Sequence, residues 1–118
     1  MKEIIIKMEC PSEAQNLVLL LLKNGYTPQS ATINYNIRTG LPGKFRRLDQ
    51  YPLILNGTLN DTETRVLVSP LSAGYRSPGS FALRKILQSA NFYFEEDDIF
   101  TLRRFNSDGK LSIIYSHH

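Results

Sequence analysis

A run of small residues leads into an amphipathic segment, and it is the most chemically specific feature of this sequence. Residues 72–81 read Ser-Ala-Gly-Tyr-Arg-Ser-Pro-Gly-Ser-Phe. Ser77 is a suitable N-cap, and Pro78 suits the first helical position because its missing N–H needs no partner there. Gly79 is small enough to admit a ligand to the first-turn amides, where the helix dipole favours an anion. With Arg76 in the same loop, this stretch predicts a site for a phosphorylated ligand.

The helix that follows carries an unusual polar face. Phe81, Arg84, Gln88 and Asn91 are spaced three, four and three residues apart, which places them on one side of a helix. A phenyl ring can stack on a base, a side-chain amide can read a base edge, and arginine can pair with phosphate. The alternative is that Phe81 packs against the first helical turn and the polar side chains are only solvated. The first interpretation predicts a flat, anionic ligand such as a nucleotide.

The apolar pattern predicts the elements that position this loop. A first helix should begin at a Ser12/Gln15 capping box and end before Gly25, and a second should bury a stripe of aliphatic residues after residue 81. Strands are predicted at residues 2–8, 32–38, 51–59 and 64–68. The last two strands should form a hairpin, because turn-favouring residues separate them.

The C-terminal part of the chain is predicted to add a short helical turn and a second hairpin. The acidic residues 95–98 suit the N-terminus of a helix. Residues 99–105 and 110–115 are predicted to be the two strands of a terminal hairpin. Adjacent Arg103 and Arg104 would then point to opposite faces of the sheet. We therefore expect an α+β fold with an antiparallel or mixed β-sheet and two main helices.

Composition is that of one ordinary globular domain spanning residues 1–118. The chain is 42% apolar and 21% charged, and its formal net charge of +3 with a pI near 9.1 favours an anionic partner. The longest apolar run, residues 17–22, is too short to cross a bilayer, so no membrane partner is expected.

Several classes of chemistry are not expected. The lone Cys10 cannot form an internal disulfide, and the two histidines both lie at the C-terminus, so neither a metal nor a cofactor is predicted. The acidic residues 95–98 have no accompanying nucleophile or histidine base. The chain is therefore predicted not to be an enzyme.

Two features leave alternatives open. The Gly- and Pro-containing residues 39–47 include Arg46 and Arg47, which form either a solvated loop, a flap over an anion, or the contact surface of a small nucleic-acid-binding protein. Leu19 and Leu20 lie off the apolar stripe of the first helix, so they are either deeply packed or in contact with another subunit.

The order of these motifs resembles the small phage Thoeris anti-defence proteins of type 1. The resemblance rests on the Leu-Ser-Ala-Gly-Tyr loop at residues 71–75, the helix with Phe81 and Asn91, the acidic turn and the Leu-Arg-Arg of residues 102–104. The strand at residues 51–58 and the N-terminal strand and helix also fit. The loop departs from the family pattern in residues 76–80, where more glycine and an acidic residue are expected.

The resemblance implies a function and an assembly. Such proteins sequester, without cleaving it, a glyco-cyclic ADP-ribose isomer that bacterial TIR proteins make as a signal, so the expected location is the cytoplasm of the infected bacterial host. It implies that Phe81 and Asn91 hold the adenine and its sugar, that Arg103 or Arg104 contributes, and that a homo-oligomer binds ligand at subunit interfaces. Nucleic acid is then not expected as a partner. The residues predicted to contact ligand are Tyr75, Arg76, Ser77, Gly79, Phe81, Arg84, Gln88, Asn91, Arg103 and Arg104.

Overall fold

The computed structural model describes residues 1–34, 51–101, 103–107 and 109–114. These residues form five strands and three helices. The strands are β1 (Lys2–Lys7), β2 (Thr27–Asn34), β3 (Leu53–Leu59), β4 (Thr62–Ser69) and β5 (Lys110–Ile114). The helices are α1 (Pro11–Lys23), α2 (Pro78–Ser89) and α3 (Glu96–Phe100). The predicted α+β class with two main helices is confirmed.

The strands form one mixed sheet in the order β1-β4-β3-β2-β5. β1 and β4 are parallel, whereas the other three neighbouring pairs are antiparallel. Residues 66–68 of β4 are apolar at consecutive positions because both faces of the strand are covered there: Val66 and Val68 belong to the main core, and Leu67 belongs to a smaller cluster with Tyr51 and Ile54. The parallel β1–β4 pair therefore forms one end of a sheet whose other neighbouring pairs are antiparallel.

The main core lies between the sheet and the two long helices. The predicted stripe of α2 is confirmed, since each of its residues is at most 4% exposed: Ala82, Leu83, Ile86, Leu87 and, just after the helix, Ala90. α1 contributes the fully buried Ala14 and Val18 and packs beside α2. Leu20 is 54% exposed and Leu19 is partly exposed, so the deep packing considered for both does not occur within the described residues.

The ends of α1 show which local signals act. Gly25 ends the helix as predicted, with a φ of 101° that favours glycine, and its N–H donates to Leu22 O. The predicted capping box is wrong, because the helix begins at Pro11 and its N-cap is Cys10, which caps no amide with its side chain. A proline suits the first helical turn, so Pro11 set the start ahead of Ser12. Among the described residues no helix is long and apolar enough to cross a membrane.

The β3–β4 hairpin is confirmed, with a tighter turn than predicted. Asn60 and Asp61 have φ angles of 52° and 63°, and Leu59 lies opposite Thr62. Positive φ at both central residues is typical of a type I′ turn, which asparagine and aspartate tolerate. β2 begins at Thr27, five residues before the predicted start, and the predicted extension over residues 35–38 lies outside the described residues.

The predicted terminal hairpin is wrong. Ile99 and Phe100 lie in α3, and β5 pairs with β2 instead of with residues 99–105. The acidic turn at residues 95–98 was correctly predicted to open a helix, but the helix continues to Phe100 because both aromatic and aliphatic side chains there are buried. Arg103 and Arg104 consequently lie in a turn, and the strand geometry inferred for them does not apply.

Candidate functional site

The loop between β4 and α2 ends in a reciprocal serine cap. The N–H of Ser80 donates to Ser77 Oγ at 3.2 Å, and the N–H of Ser77 donates to Ser80 Oγ at 2.8 Å. Pro78 occupies the first helical turn. The predicted N-cap and proline are therefore confirmed, and Ser80 completes a capping box that sequence reasoning did not find because serine replaces the usual Glu or Gln at that position.

The first turn of α2 faces the protein's own loop. Gly79 is buried, and a Cβ added there would lie 2.4 Å from Ser72 Oγ, which is itself 2.7 Å from Ser77 Oγ. The N–H of Phe81 donates to Ser77 O. The small side chain at position 79 thus accommodates Ser72, and the amides of Ser80 and Phe81 have partners within the chain.

An exposed aromatic ring lies at the start of α2. Phe81 is 41% exposed, and its ring centroid is 5.2 Å from that of Phe100 at an interplanar angle of 58°. Phe100 is 7% exposed, so it forms the buried support of a pair whose outer ring reaches solvent. This tilted geometry is within the range that aromatic pairs prefer. Sequence reasoning missed Phe100 because it assigned that residue to a strand.

Two arginines flank this pair of rings. The guanidinium carbon of Arg76 is 4.4 Å from the centroid of Phe100, and that of Arg84 is 5.3 Å from Phe81 and 5.8 Å from Phe100. Each distance lies within the range of a cation–π contact. Arg84 Nη1 also donates to Glu96 Oε1 at 2.6 Å. These residues, Arg76, Phe81, Arg84, Glu96 and Phe100, are called the aromatic–arginine cluster below.

The charge of the cluster is only partly balanced. Glu96 offers one carboxylate against the two guanidinium groups, and the side chain of Arg84 is 30% exposed. Arg84 Nε is buried and, within the described part of the chain, has no hydrogen-bond partner. An arginine presents five N–H donors, so the N–H groups of the terminal nitrogens of Arg84 that Glu96 does not engage can bind an incoming anion. The cluster therefore combines an exposed π surface with available positive charge.

Other predicted residues have different surroundings. Asn91 is not on the helix; it follows the end of α2 with a φ of 61°, and the N–H groups of Asn91 and Phe92 donate to Gln88 O and Leu87 O. This pattern is that of a Schellman motif, which asparagine can terminate. The shared helical face predicted for Phe81 and Asn91 is therefore wrong, because the helix ends between them. Gln88 is exposed in the last turn.

The remaining predicted residues lie in the two flanking loops. Tyr75 is 53% exposed. Arg104 Nη1 donates to Asp98 Oδ2 at 2.9 Å, and the N–H of Arg103 donates to Thr101 Oγ1 at 3.3 Å. The structure thus unites Arg76, Phe81 and Arg84 in ring contacts and gives Arg104 an intramolecular carboxylate. Arg46 and Arg47 lie outside the described residues.

Metal-ligating side chains do not cluster in the described ranges, where no three His, Cys, Asp or Glu residues come together. Asp98, from the acidic run, is 2% exposed and caps the start of α3 by accepting the N–H of Glu95. No protein-family model matches this sequence, and searches of curated proteins and of solved structures return no match. The resemblance to the Thoeris anti-defence family stays a prediction.

Proposed function

We propose that this protein binds and sequesters a cyclic nucleotide second messenger of the glyco-cyclic ADP-ribose type without transforming it. Binding would counteract TIR-based anti-phage signalling in the cytoplasm of the infected bacterial host. The observation that supports this most directly is the solvent-exposed ring of Phe81, supported by Phe100 and flanked by the guanidinium of Arg84. An exposed aromatic beside arginine suits a ligand that has both a base and phosphates.

In this proposal the ring and the cations have separate roles. The adenine stacks on the outer face of Phe81, an interaction that contributes about 1–3 kcal/mol per base in nucleic-acid-binding proteins. The phosphates are bound by Arg84 and Arg76, with charge-assisted hydrogen bonds. Glu96 holds Arg84 over the rings before ligand arrives, which reduces the rotamer entropy lost on binding.

Tyr75, Gln88 and Arg103 are proposed as peripheral contacts, since all are exposed. Asn91 and Arg104 are not proposed as main ligand contacts, because Asn91 ends α2 and Arg104 pairs with Asp98. The protein is further proposed to act as a homo-oligomer, with neither metal nor cofactor. Two elements present an exposed apolar side chain that an assembly could cover, Ile5 of β1 at 59% and Leu20 of α1 at 54% exposed.

The test is calorimetric titration of the full chain with cyclic ADP-ribose isomers, linear ADP-ribose, cyclic mononucleotides and a short single-stranded oligonucleotide. We expect binding of a cyclic ADP-ribose isomer, and mass spectrometry should recover that ligand unchanged after the protein is heat-denatured. Recovery of a hydrolysed product would indicate an enzyme. Preferential binding of the oligonucleotide, with affinity falling steeply as salt is raised, would instead indicate a nucleic-acid-binding protein.

A further inference from the structure

The strand β1 lies at an edge of the sheet and presents a regular set of backbone groups to the outside. Its pairing partner in the described part of the chain is β4. Just beyond the strand, the N–H of Met8 donates to Ser69 O of the β4 strand, as a parallel ladder requires when Lys7 lies opposite Ser69. Because successive residues direct their N–H and C=O groups to opposite edges, Glu3, Ile5 and Lys7 direct theirs away from β4.

The side chains of these three residues share one face of the strand. Ile6 is 4% exposed and belongs to the core, so the odd-numbered positions lie on the other face, where Ile5 is 59% exposed. Glu3 and Lys7 are also exposed on this face and carry opposite charges at equal distances along the strand from Ile5. Long, exposed edge strands are sites at which another strand can add.

We propose that β1 pairs antiparallel with β1 of a second copy, with Ile5 opposite Ile5. The backbone decides which registers are allowed: an odd-numbered residue, whose N–H and C=O face outward, must lie opposite another odd-numbered residue to exchange both hydrogen bonds. Centring the pair on Ile5 places Glu3 opposite Lys7 in both symmetry-related positions. A shift of two residues in either direction leaves two hydrogen-bonded residue pairs within β1 instead of three, and it separates Glu3 from Lys7.

The proposed interface is self-complementary, as a twofold dimer requires. Ile5 also lies beside Leu67 in the β1–β4 register, so the two Ile5 side chains extend an apolar strip that already begins within each sheet. Glu3 has Arg65 as a neighbour, with 3.6 Å between Oε1 and Nη1, and a carboxylate can accept further hydrogen bonds. The Lys7 ammonium carries three donors, so pairing with Glu3 does not require it to be free of other contacts.

This interface specifies the homo-oligomer included in the proposed function and rests on that part of it, but not on ligand binding. The experiment is therefore run without nucleotide. Sedimentation velocity over a range of protein concentrations should show a reversible dimer for the wild-type chain. Glu3→Lys and Lys7→Glu each place like charges opposite one another at two positions, and each should raise the dimer dissociation constant by about tenfold or more.

Mixing the Glu3→Lys and Lys7→Glu variants tests the Ile5-centred register directly. The first variant carries lysine at both paired positions of the strand, and the second carries glutamate at both. Opposite charges therefore face one another in the mixed pair, and the mixture should form a heterodimer although each variant alone is weakened. Leu20→Gln tests the alternative of an interface on α1. Its dimer dissociation constant should equal that of the wild type. Circular dichroism melting of every variant checks that the fold is retained.

Each other result overturns the proposal in a distinguishable way. A wild-type chain that remains monomeric at high micromolar concentration excludes both this interface and the proposed homo-oligomer. A dimer that survives both charge changes, or dissociates only with Leu20→Gln, excludes the β1 interface and retains the oligomer. Failure of the mixed variants to associate excludes the Ile5-centred register. None of these outcomes bears on whether the monomer binds nucleotide.

Discussion

Arg104 and Asp98 form an ion pair in which the two partners have very different environments. Arg104 Nη1 lies 2.9 Å from Asp98 Oδ2, while the side chains are 60% and 3% exposed, respectively. The same carboxylate oxygen accepts the backbone N–H of Glu95 at 2.9 Å. Asp98 therefore joins the N-terminus of α3 to the turn that follows that helix, next to Phe100 of the aromatic–arginine cluster.

Replacing the two partners should have unequal effects on stability. Asp98→Ala removes the cap and leaves the N–H of Glu95 without its acceptor, so we expect the free energy of unfolding to fall by about 0.5–2 kcal/mol. Arg104→Gln removes only a largely exposed cation and should cost less than about 1 kcal/mol. Urea unfolding followed by circular dichroism measures both. Equal losses of stability in the two variants would show that the cap formed by Asp98 adds nothing beyond its ion pair with Arg104.

Phe81→Ala should weaken nucleotide binding by about tenfold or more, because the base loses its stacking surface. Tyr93→Ala is the matched control: Tyr93 is an aromatic that is 73% exposed and lies beyond the end of α2. Calorimetry should find the control unchanged.

Because Phe81 also packs on Phe100, thermal melting must accompany this comparison. Phe81→Leu keeps an apolar side chain against Phe100 and should lose affinity with a smaller change in melting temperature. Wild-type affinity in a folded Phe81→Ala protein would be incompatible with the stacking role.

Gly79→Ala should destabilise the protein by about 1–3 kcal/mol, as expected for overpacking. The new Cβ would lie 2.4 Å from Ser72 Oγ and 3.0 Å from Ser72 N. The hydroxyl cannot move away without disturbing its 2.7 Å contact with Ser77 Oγ at the N-cap.

Denaturant unfolding of Gly79→Ala should be compared with Gly79→Ala combined with Ser72→Gly. The second change removes the clashing hydroxyl, so part of the lost stability should return. If Gly79→Ala alone is as stable as the wild type, the contact with Ser72 does not require glycine at position 79.

Tyr26 should make stability fall at alkaline pH. Its side chain is buried, and its hydroxyl donates to Thr64 O at 2.9 Å. Burial raises the pKa of Tyr26 above its ordinary value of about 10. A raised pKa in the folded state means that the stabilisation is complete below the unfolded pKa and is lost as pH rises above about 10.

The variant Tyr26→Phe isolates this effect. Near neutral pH it should be less stable by about 1 kcal/mol, because the buried hydrogen bond is missing. As pH rises above about 10, the stability of the wild type should fall relative to that of Tyr26→Phe. The tyrosine ionises in the unfolded state while burial keeps it neutral in the folded state, so high pH favours unfolding of the wild type. Paired urea titrations at neutral and alkaline pH measure the difference. An advantage that stays constant with pH would contradict the assignment.

Local signals predicted most of the elements in the first three quarters of the chain that the structure describes. The apolar stripe after residue 81, the Ser77 cap, the glycine after α1 and the polar turn before β4 each act within a few residues, so their types are sufficient. Prediction failed where two local signals competed. Pro11 began α1 ahead of the Ser12 capping box, and the acidic turn propagated helix through Phe100.

Which strands pair with one another was harder to predict from the sequence. Nothing within residues 110–114 specifies β2 as the neighbour of β5, because a strand's partner depends on which edge of the sheet lies within its reach in the folded chain. The hairpin predicted for residues 99–105 and 110–115 followed from proximity in sequence, which is a tendency and not a rule.

By itself, the sequence determined the α+β class, the small-residue loop leading into α2, and the presence of Phe81 and Arg84 one turn apart. Only the tertiary structure decided that Gly79 faces Ser72, and that Phe100 and Arg76 join Phe81 and Arg84. The physical reason is the distance along the chain over which each interaction acts. Helix caps and helical faces depend on residues a few positions apart, whereas the cluster forms through side chains that only the packing of α3 against α2 brings together.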